Sequence, residues 1–268
     1  MNFGLIIIGD EILSGKRADK HLPKVIELLG ARGLSLSWAR YVGDEPARIT
    51  ADLKDAFASG DVVFSCGGIG ATPDDHTRQC AAAALGVPLV LHPEARELVI
   101  ERMKDVAREQ ATTFDPDRGD NRHRLNMALF PEGARIIPNP YNKIAGFFVQ
   151  RGEAGVFFVP GFPVMAWPMI EWVLDRAYRH LHRSRETSER SVIVFGSMEA
   201  ALTPLMEAIE SAFPGVKVFS LPSVDDPKWG RHIELGVKGE RSRLDAAYAA
   251  LIEGLHAQHA KLGPEMVR

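Results

Sequence analysis

The sequence predicts an α/β fold: a parallel sheet with helices on both faces, in three layers, followed by a small α+β domain. Three observations predict it. Continuous apolar runs alternate with segments whose apolar residues recur at helical spacing along residues 3–178. Polar turns rich in glycine or proline follow the predicted strands at 9–15, 43–46, 67–77 and 160–163. The stretch 183–190 is short, charged and free of large apolar residues, which marks it as a linker between domains 1–182 and 191–268.

Phe3–Gly9 is an unbroken apolar run, as expected of a strand covered on both faces. Asp19 is placed to cap a helix with the stripe Leu22, Val25, Ile26 and Leu29, which closes at Gly30 or Gly33. Leu34–Val42 predicts a second strand, and Pro46 suits the first turn of a helix that buries Ile49, Leu53, Ala56 and Phe57. Asp61–Cys66 predicts a third strand, running into three glycines within four residues. Thr77–Leu85 follows as an alanine-rich helix stopped by Gly86 and Pro88. His92-Pro93 opens a helix through Leu98, Val99, Ile100 and Met103. Residues 109–122 then predict a loop with the basic cluster Arg118, Arg122, His123 and Arg124, either solvated or in contact with a phosphate or partner. Short strands follow at Ala134–Ile137, Gly146–Val149 and Val156–Val159, the last expected to join the parallel sheet as its fourth strand. After Pro160-Gly161-Phe162-Pro163 comes an amphipathic helix with Met165, Met169, Trp172, Val173 and Tyr178. Pro168 lies near its start. In the second domain Ser191–Phe195, Val216–Leu221 and His232–Val237 predict strands, and Leu202–Phe213 and Leu244–Leu255 predict helices.

Composition narrows the function classes. The 268 residues carry a net charge of −3, so the whole molecule has no attraction for nucleic acid or anionic membrane. The two cysteines, Cys66 and Cys80, fall within a strand and a helix, which argues for small core residues in a reducing compartment rather than a disulfide framework. No basic leader occurs, and no apolar run approaches the ~20 residues of a membrane span. The expected location is cytoplasmic.

Ligands of open α/β sheets bind at the C-terminal edge of the strands, where the four polar turns should meet. Of these turns, Gly67-Gly68-Ile69-Gly70-Ala71-Thr72-Pro73-Asp74-Asp75-His76-Thr77 is the most informative. Glycines after a buried strand aim backbone N–H groups at an anion. Helix capping alone accounts for Thr72, Pro73 and an acidic first turn. The glycines instead suggest close approach of a ligand or a positive φ. A bare phosphate would be repelled by Asp74 and Asp75 together. A divalent cation between them, with Asp44 as a third oxygen donor, would reconcile the two. There is no Lys-Ser/Thr after the glycines, no dinucleotide fingerprint after the first strand and no Gly-x-Ser-x-Gly turn. The pairs His180/His182 and His256/His259 lack accompanying ligands and are taken as solvated or packing residues.

The 67–77 motif closely resembles the Gly-Gly-Leu/Ile-Gly-Pro-Thr-x-Asp-Asp-x-Thr signature of the CinA-type (competence/damage-inducible protein A) N-terminal domain. That domain belongs to the molybdopterin-binding, MoaB/Mog-like superfamily. Gly9–Gly15 is similar to its Gly-x-Glu-Leu-Leu-x-Gly turn and Val42-Gly43-Asp44 to its Val-Gly-Asp; Asn139-Pro140, Gly146-Phe147 and Pro160–Pro163 match later motifs. Residues 191–268, opening Gly196-Ser197-Met198-Glu199, resemble the KH-like middle domain of the same proteins. Departures are Asp74 where Mog-type adenylyltransferases have a basic residue, His21 for Asn, Met165 for Glu, and Asn142-Lys143-Ile144-Ala145 for Gly-Thr-Ala-Pro. Molybdopterin adenylylation is therefore not expected. Nor is the nicotinamide-nucleotide deamidase activity of a C-terminal domain beyond residue 268.

The resemblance implies a protein that binds a nucleotide diphosphate and hydrolyses it, as a pyrophosphatase acting on ADP-ribose or FAD. The cofactor would be a divalent metal (Mg²⁺, Mn²⁺ or Co²⁺), with K⁺ as a further candidate. Asp44, Asp74 and Asp75 are the expected catalytic residues, with Asp44 and Asp75 on the metal. Glu11, Ser14, Gly15, Gly67, Gly68, Gly70, Thr72, Thr77, Asn139, Lys143, Pro160 and Gly161 are the expected ligand and phosphate contacts. The alternative is a non-catalytic protein holding molybdopterin or a nucleotide. Homo-oligomerisation is expected from the resemblance. Nucleic acid is not an expected partner, because 191–268 lack a KH-type GXXG loop and carry Asp225-Asp226.

Overall fold

In the first strand, β1 (Phe3–Ile8), every residue is buried. Phe3, Leu5 and Ile7 join one core while Ile6 and Ile8 join another, so the strand is covered on both faces. This computed structural model describes residues 1–116, 118–182 and 187–268. Asp117, in the predicted loop, and 183–186, in the predicted linker, lie outside the described residues. The chain divides into two compact units, Met1–His182 and Arg183–Arg268.

In the first unit β1 is followed by α1 (Asp10–Leu13), α2 (His21–Gly30), β2 (Leu36–Val42), α3 (Pro46–Ala58), β3 (Val62–Cys66), α4 (Thr77–Leu85), β4 (Leu89–Leu91), α5 (Pro93–Glu109), α6 (Gly119–Leu125), β5 (Leu129–Pro131), β6 (Arg135–Ile137), β7 (Gly146–Arg151), β8 (Ala154–Val159) and α7 (Pro163–Ala177). The sheet order is β2-β1-β3-β8-β7-β6. Its first four strands are parallel, and β7 and β6 extend it antiparallel. The sheet is thus mixed and mostly parallel, and β8 takes the fourth parallel position. One face packs on α2 through Val25, Leu28 and Leu29 and on α7 through Met169, Ile170 and Val173. The other packs on α3 through Ile49 and Leu53, on α4 through Cys80 and Ala81, and on α5 through Val99 and Met103. Three layers result.

Local sequence explains most of the boundaries. The Asp19 carboxylate accepts from the amides of His21 (2.7 Å) and Leu22 (3.1 Å), capping α2. Pro46, Pro93 and Pro163 each stand in the first turn of a helix, and Gly86 ends α4 at φ +70°. The predicted loop 109–122 is corrected at its end. Gly119–Leu125 is helical because Arg118 and Arg124 both pair with Asp120, while buried Asn121 donates to the Asp115 carbonyl (2.6 Å). The antiparallel ribbon β4–β5, not foreseen, is tied to the sheet by Phe130 stacked on Phe147 (4.7 Å) and Phe147 on Phe158 (4.3 Å).

The second unit contains β9 (Thr187–Phe195), α8 (Glu199–Ala212), β10 (Lys217–Asp226), β11 (Gly230–Glu240), α9 (Arg241–Ala257) and β12 (Lys261–Val267). Its sheet, in the order β10-β11-β9-β12, is antiparallel throughout. Val192, Val194, Leu235 and Val237 pack against Leu202 and Ile209 of α8 and Leu244, Leu251 and Leu255 of α9. Strand β9 begins four residues earlier than predicted, inside the stretch taken as a linker, because residues 187–190 pair with 237–240. Strand β12 was not predicted. Gly263 and Pro264 interrupt its alternation, and an edge position tolerates the proline. One GXXG spacing does occur, Gly236-Val237-Lys238-Gly239, but it lies within β11. There a Cβ on Gly236 would come 2.6 Å from the Arg190 carbonyl oxygen.

Candidate functional site

Strands β2, β1, β3 and β8 end in register, with Ile8 beside Val42, Ile7 beside Cys66, and Cys66 beside Val159. The turns that follow wall a cleft of about 670 Å³. Gly9 and Glu11 come from the turn after β1, Asp44 from that after β2, Gly67–Thr72 with Asp74 and Asp75 from that after β3, and Pro160–Phe162 from that after β8. Arg17, Met127, Asn142, Ile144 and Met165 complete its described lining with Ile8.

The loop after β3 has a shape that only glycines permit. Gly67 (φ +109°) and Gly68 (φ +68°) occupy the left-handed half of backbone space. A Cβ on Gly67 would stand 2.3 Å from the Ile8 carbonyl oxygen, and one on Gly68 would stand 2.1 Å from the Thr77 hydroxyl. Asp75 folds back over the loop: its Oδ1 accepts from the Gly70 amide (2.8 Å), and its Oδ2 accepts from the Thr72 amide (2.8 Å) and hydroxyl (2.5 Å). Beneath it, buried Arg78 donates to the carbonyls of Gly70 and Asn126, both at 2.6 Å. Burial lowers the pKa of that guanidinium. The amides of Gly68, Ile69 and Ala71 have no protein acceptor among the described residues.

This geometry replaces the helix-capping account of Thr72 and Pro73, while the predicted helix Thr77–Leu85 stands. Thr72 and Pro73 do not open α4; residues 72–75 form a turn closed by the Asp75 amide to the Thr72 carbonyl (3.0 Å), and α4 begins at Thr77. The chain reverses there because the Asp75 side chain captures amides that precede it.

On the opposite turns, the Asp10 amide donates to Asp44 Oδ2 (2.9 Å) and the Asp44 amide donates to Asp10 Oδ1 (3.1 Å), tying the ends of β1 and β2 together. Burial raises the Asp44 carboxyl above the ordinary range, the Asp10 amide opposes this, and the charges of Asp10, Glu11 and Asp74 add to the rise. Exposed Asp74 is held below that range by hydrogen bonding from Thr72 and its own amide.

Several predicted contacts lie outside the lining. Thr77 is fully buried, and its hydroxyl donates to the Gly67 carbonyl (3.0 Å), so it shapes the loop from behind. Ser14 and Gly15 end α1, with Gly15 at φ +71°. Asn139 is buried and organises its own turn, donating to Asn142 Oδ1 (2.8 Å) and the Ile144 carbonyl (2.9 Å). The Lys143 ammonium pairs with Asp105 (2.8 Å) and Glu101 (3.4 Å) of α5, and the Asp105 bond raises its pKa.

Asp44 and Asp75, the expected metal pair, both line the cleft. Both Asp75 oxygens are engaged within their own loop, and among the described residues no group of three His, Cys, Asp or Glu side chains is placed to hold a metal ion. Sequence reasoning also missed Arg17, Arg78 and Met127. Arg17 follows the turn after β1 closely enough to have been a candidate; nothing in the sequence singles out Met127.

A family model described as "Probable molybdopterin binding domain" matches residues 4–180. The chain belongs to this family. It is 32% identical over 222 residues to a CinA-like protein of Syntrophotalea carbinolica, covering 80% of this chain and 51% of the relative. It is 35% identical over 182 residues to one of Anaeromyxobacter dehalogenans, covering 68% and 42%. The chain thus spans about half the length of these curated relatives. A solved structure of CinA from Thermoplasma acidophilum, itself described as of unknown function, superposes with a TM-score of 0.54 at 24% identity, covering 65% of this chain and 98% of that one. That likeness establishes the fold. The CinA-type character of the first domain follows from these matches together.

Some of the positions that depart from the resembled motifs fall on the cleft, while Lys143 and Ala145 do not. Met165, Asn142 and Ile144 line it, and His21 Nε2 donates to the carbonyl of the lining residue Gly161 (3.0 Å). No helix among the described residues is long and apolar enough to cross a membrane.

Proposed function

We propose that the first domain binds a phosphorylated pterin or nucleotide in this cleft, with a phosphate on the Gly68–Ala71 backbone. The observation that carries the reading is the set of unengaged amides of Gly68, Ile69 and Ala71 in a glycine loop that lines the cleft. Backbone N–H groups at such a turn make charge-assisted hydrogen bonds to an anion without side-chain rearrangement. The described lining also includes Ile8, Ile69, Ile144 and Met165, apolar surface of the kind that suits a ring. Membership of the molybdopterin-binding family supports a pterin-type ligand.

Calorimetric titration of the full chain with inorganic pyrophosphate, ADP and 6-hydroxymethylpterin diphosphate tests this. Saturable binding of pyrophosphate is expected; no binding of any of the three, with or without Mg²⁺, contradicts it.

Hydrolysis of a nucleotide diphosphate is the second reading. Asp44 favours it, because a partly buried carboxyl raised above its ordinary range in a cleft is suited to move a proton. In this reading Asp44 acts on water, and a divalent cation bound with the diphosphate would take its remaining ligands from water and the phosphates. Incubation with ADP-ribose and FAD, with and without Mg²⁺, Mn²⁺, Co²⁺ and K⁺, separates the two. Turnover that is lost in Asp44→Asn supports hydrolysis; saturable binding without turnover supports a carrier or sensor.

A further inference from the structure

Within the described lining of the cleft, Phe162 is the only aromatic side chain and Arg17 the only cationic one. Phe162 sits just before α7 and is 55% exposed, although its carbonyl is held by the amides of Met165 (3.0 Å) and Ala166 (2.9 Å). Its backbone is therefore fixed while its ring stands in solvent. The Arg17 guanidinium lies over that ring, 5.9 Å from its centroid. Its acidic neighbour Glu11 is 3.7 Å away, and both side chains are largely exposed, so the pair contributes little. A guanidinium face and a planar heteroaromatic ring compete for the same aromatic surface.

We propose that Phe162 is a specificity-determining residue. Its ring stacks on the fused heteroaromatic ring of the ligand, a pterin or a purine, and Arg17 gives up that surface to cover the ligand's far side. The inference rests on the reading of the cleft as a phosphate site and adds which side chain holds the ligand's ring. Charge favours this wall for the ring, since Arg17 offsets Glu11 here while Asp44 and Asp74 line the cleft from other turns.

The test is calorimetry on the full chain with ADP, 6-hydroxymethylpterin diphosphate and inorganic pyrophosphate, comparing wild type, Phe162→Ala and Phe162→Tyr. Because the Phe162 ring is exposed, neither substitution removes core packing. Phe162→Ala is expected to weaken the ring-bearing ligands by about tenfold and to leave pyrophosphate within about twofold. Phe162→Tyr should retain both, and the ligand with the larger loss identifies pterin or purine. Equal binding of ring-bearing ligands by Phe162→Ala and wild type would overturn the inference. So would a matching loss for pyrophosphate, or a wild type that binds ADP and the pterin no more tightly than pyrophosphate; in each of these cases the phosphate site stands. A wild type that binds none of the three overturns the phosphate reading and this inference with it.

Discussion

Asp75 shows how one carboxylate changes role between sequence and structure. In the sequence it stands beside Asp74 after three glycines, and the adjacency suggests a shared cation. In the structure it closes its own loop through the Gly70 amide and both donors of Thr72. Adjacency in sequence carries no information about which way a side chain turns, so this distinction was not legible. Asp75→Ala is expected to destabilise the first domain by about 1–2 kcal/mol, because it strands the part-buried Gly70 amide while the exposed donors of Thr72 turn to water; Asp75→Asn, which keeps an acceptor, should lose less. Chemical denaturation monitored by circular dichroism measures both. Asp44 gives a prediction with the opposite sign. Its carboxyl is raised in the folded state, so between its ordinary pKa and the raised one the folded chain binds more protons than the unfolded chain. Ionising Asp44 therefore lowers stability as pH rises through that window. Relative to wild type, Asp44→Asn should gain stability from about pH 4 upward and level off once Asp44 is fully ionised. Thermal melts of the ligand-free proteins across pH 3–8 read this directly, and a constant difference across that range contradicts it.

At the scale of elements, the glycine loop after β3 is the part that sequence and structure describe most nearly alike. Its glycines predicted positive φ or close approach, and Gly67 and Gly68 show both. Gly67→Ala is expected to cost at least about 2 kcal/mol, from left-handed strain together with collision on the Ile8 carbonyl. Gly15→Ala is the control: its φ of +71° lies in the ordinary left-handed region, short of the +109° of Gly67, with no atom within 4 Å of the added Cβ, and it should cost only about 1 kcal/mol. Equal losses in denaturant unfolding would contradict the steric account. The parallel strands were legible because burial on both faces leaves an unbroken apolar run. Strand β12 was not, since Gly263 and Pro264 break its alternation. Helix α6 was hidden by its charges, which resemble a solvated loop until Arg118 and Arg124 are seen to share Asp120.

At the scale of the molecule, each unit has its own core, and the described lining of the candidate site comes from Met1–His182. The convergence of four strand-end turns on one cleft follows from topology, because parallel strands aligned in register must end on one edge. The side chains that complete the cleft arrive from residues 127–165, beyond the third strand, and only the tertiary fold brings Met127, Asn142 and Phe162 to Gly67–Thr72. The central claim is that the free amides of the glycine loop receive an anion. The most direct measurement is the ¹⁵N–¹H spectrum of the full chain during titration with inorganic pyrophosphate. The account predicts saturable downfield shifts of the Gly68, Ile69 and Ala71 amides at one common affinity. Binding that leaves these three amides unmoved, with the largest shifts elsewhere in the chain, would contradict it.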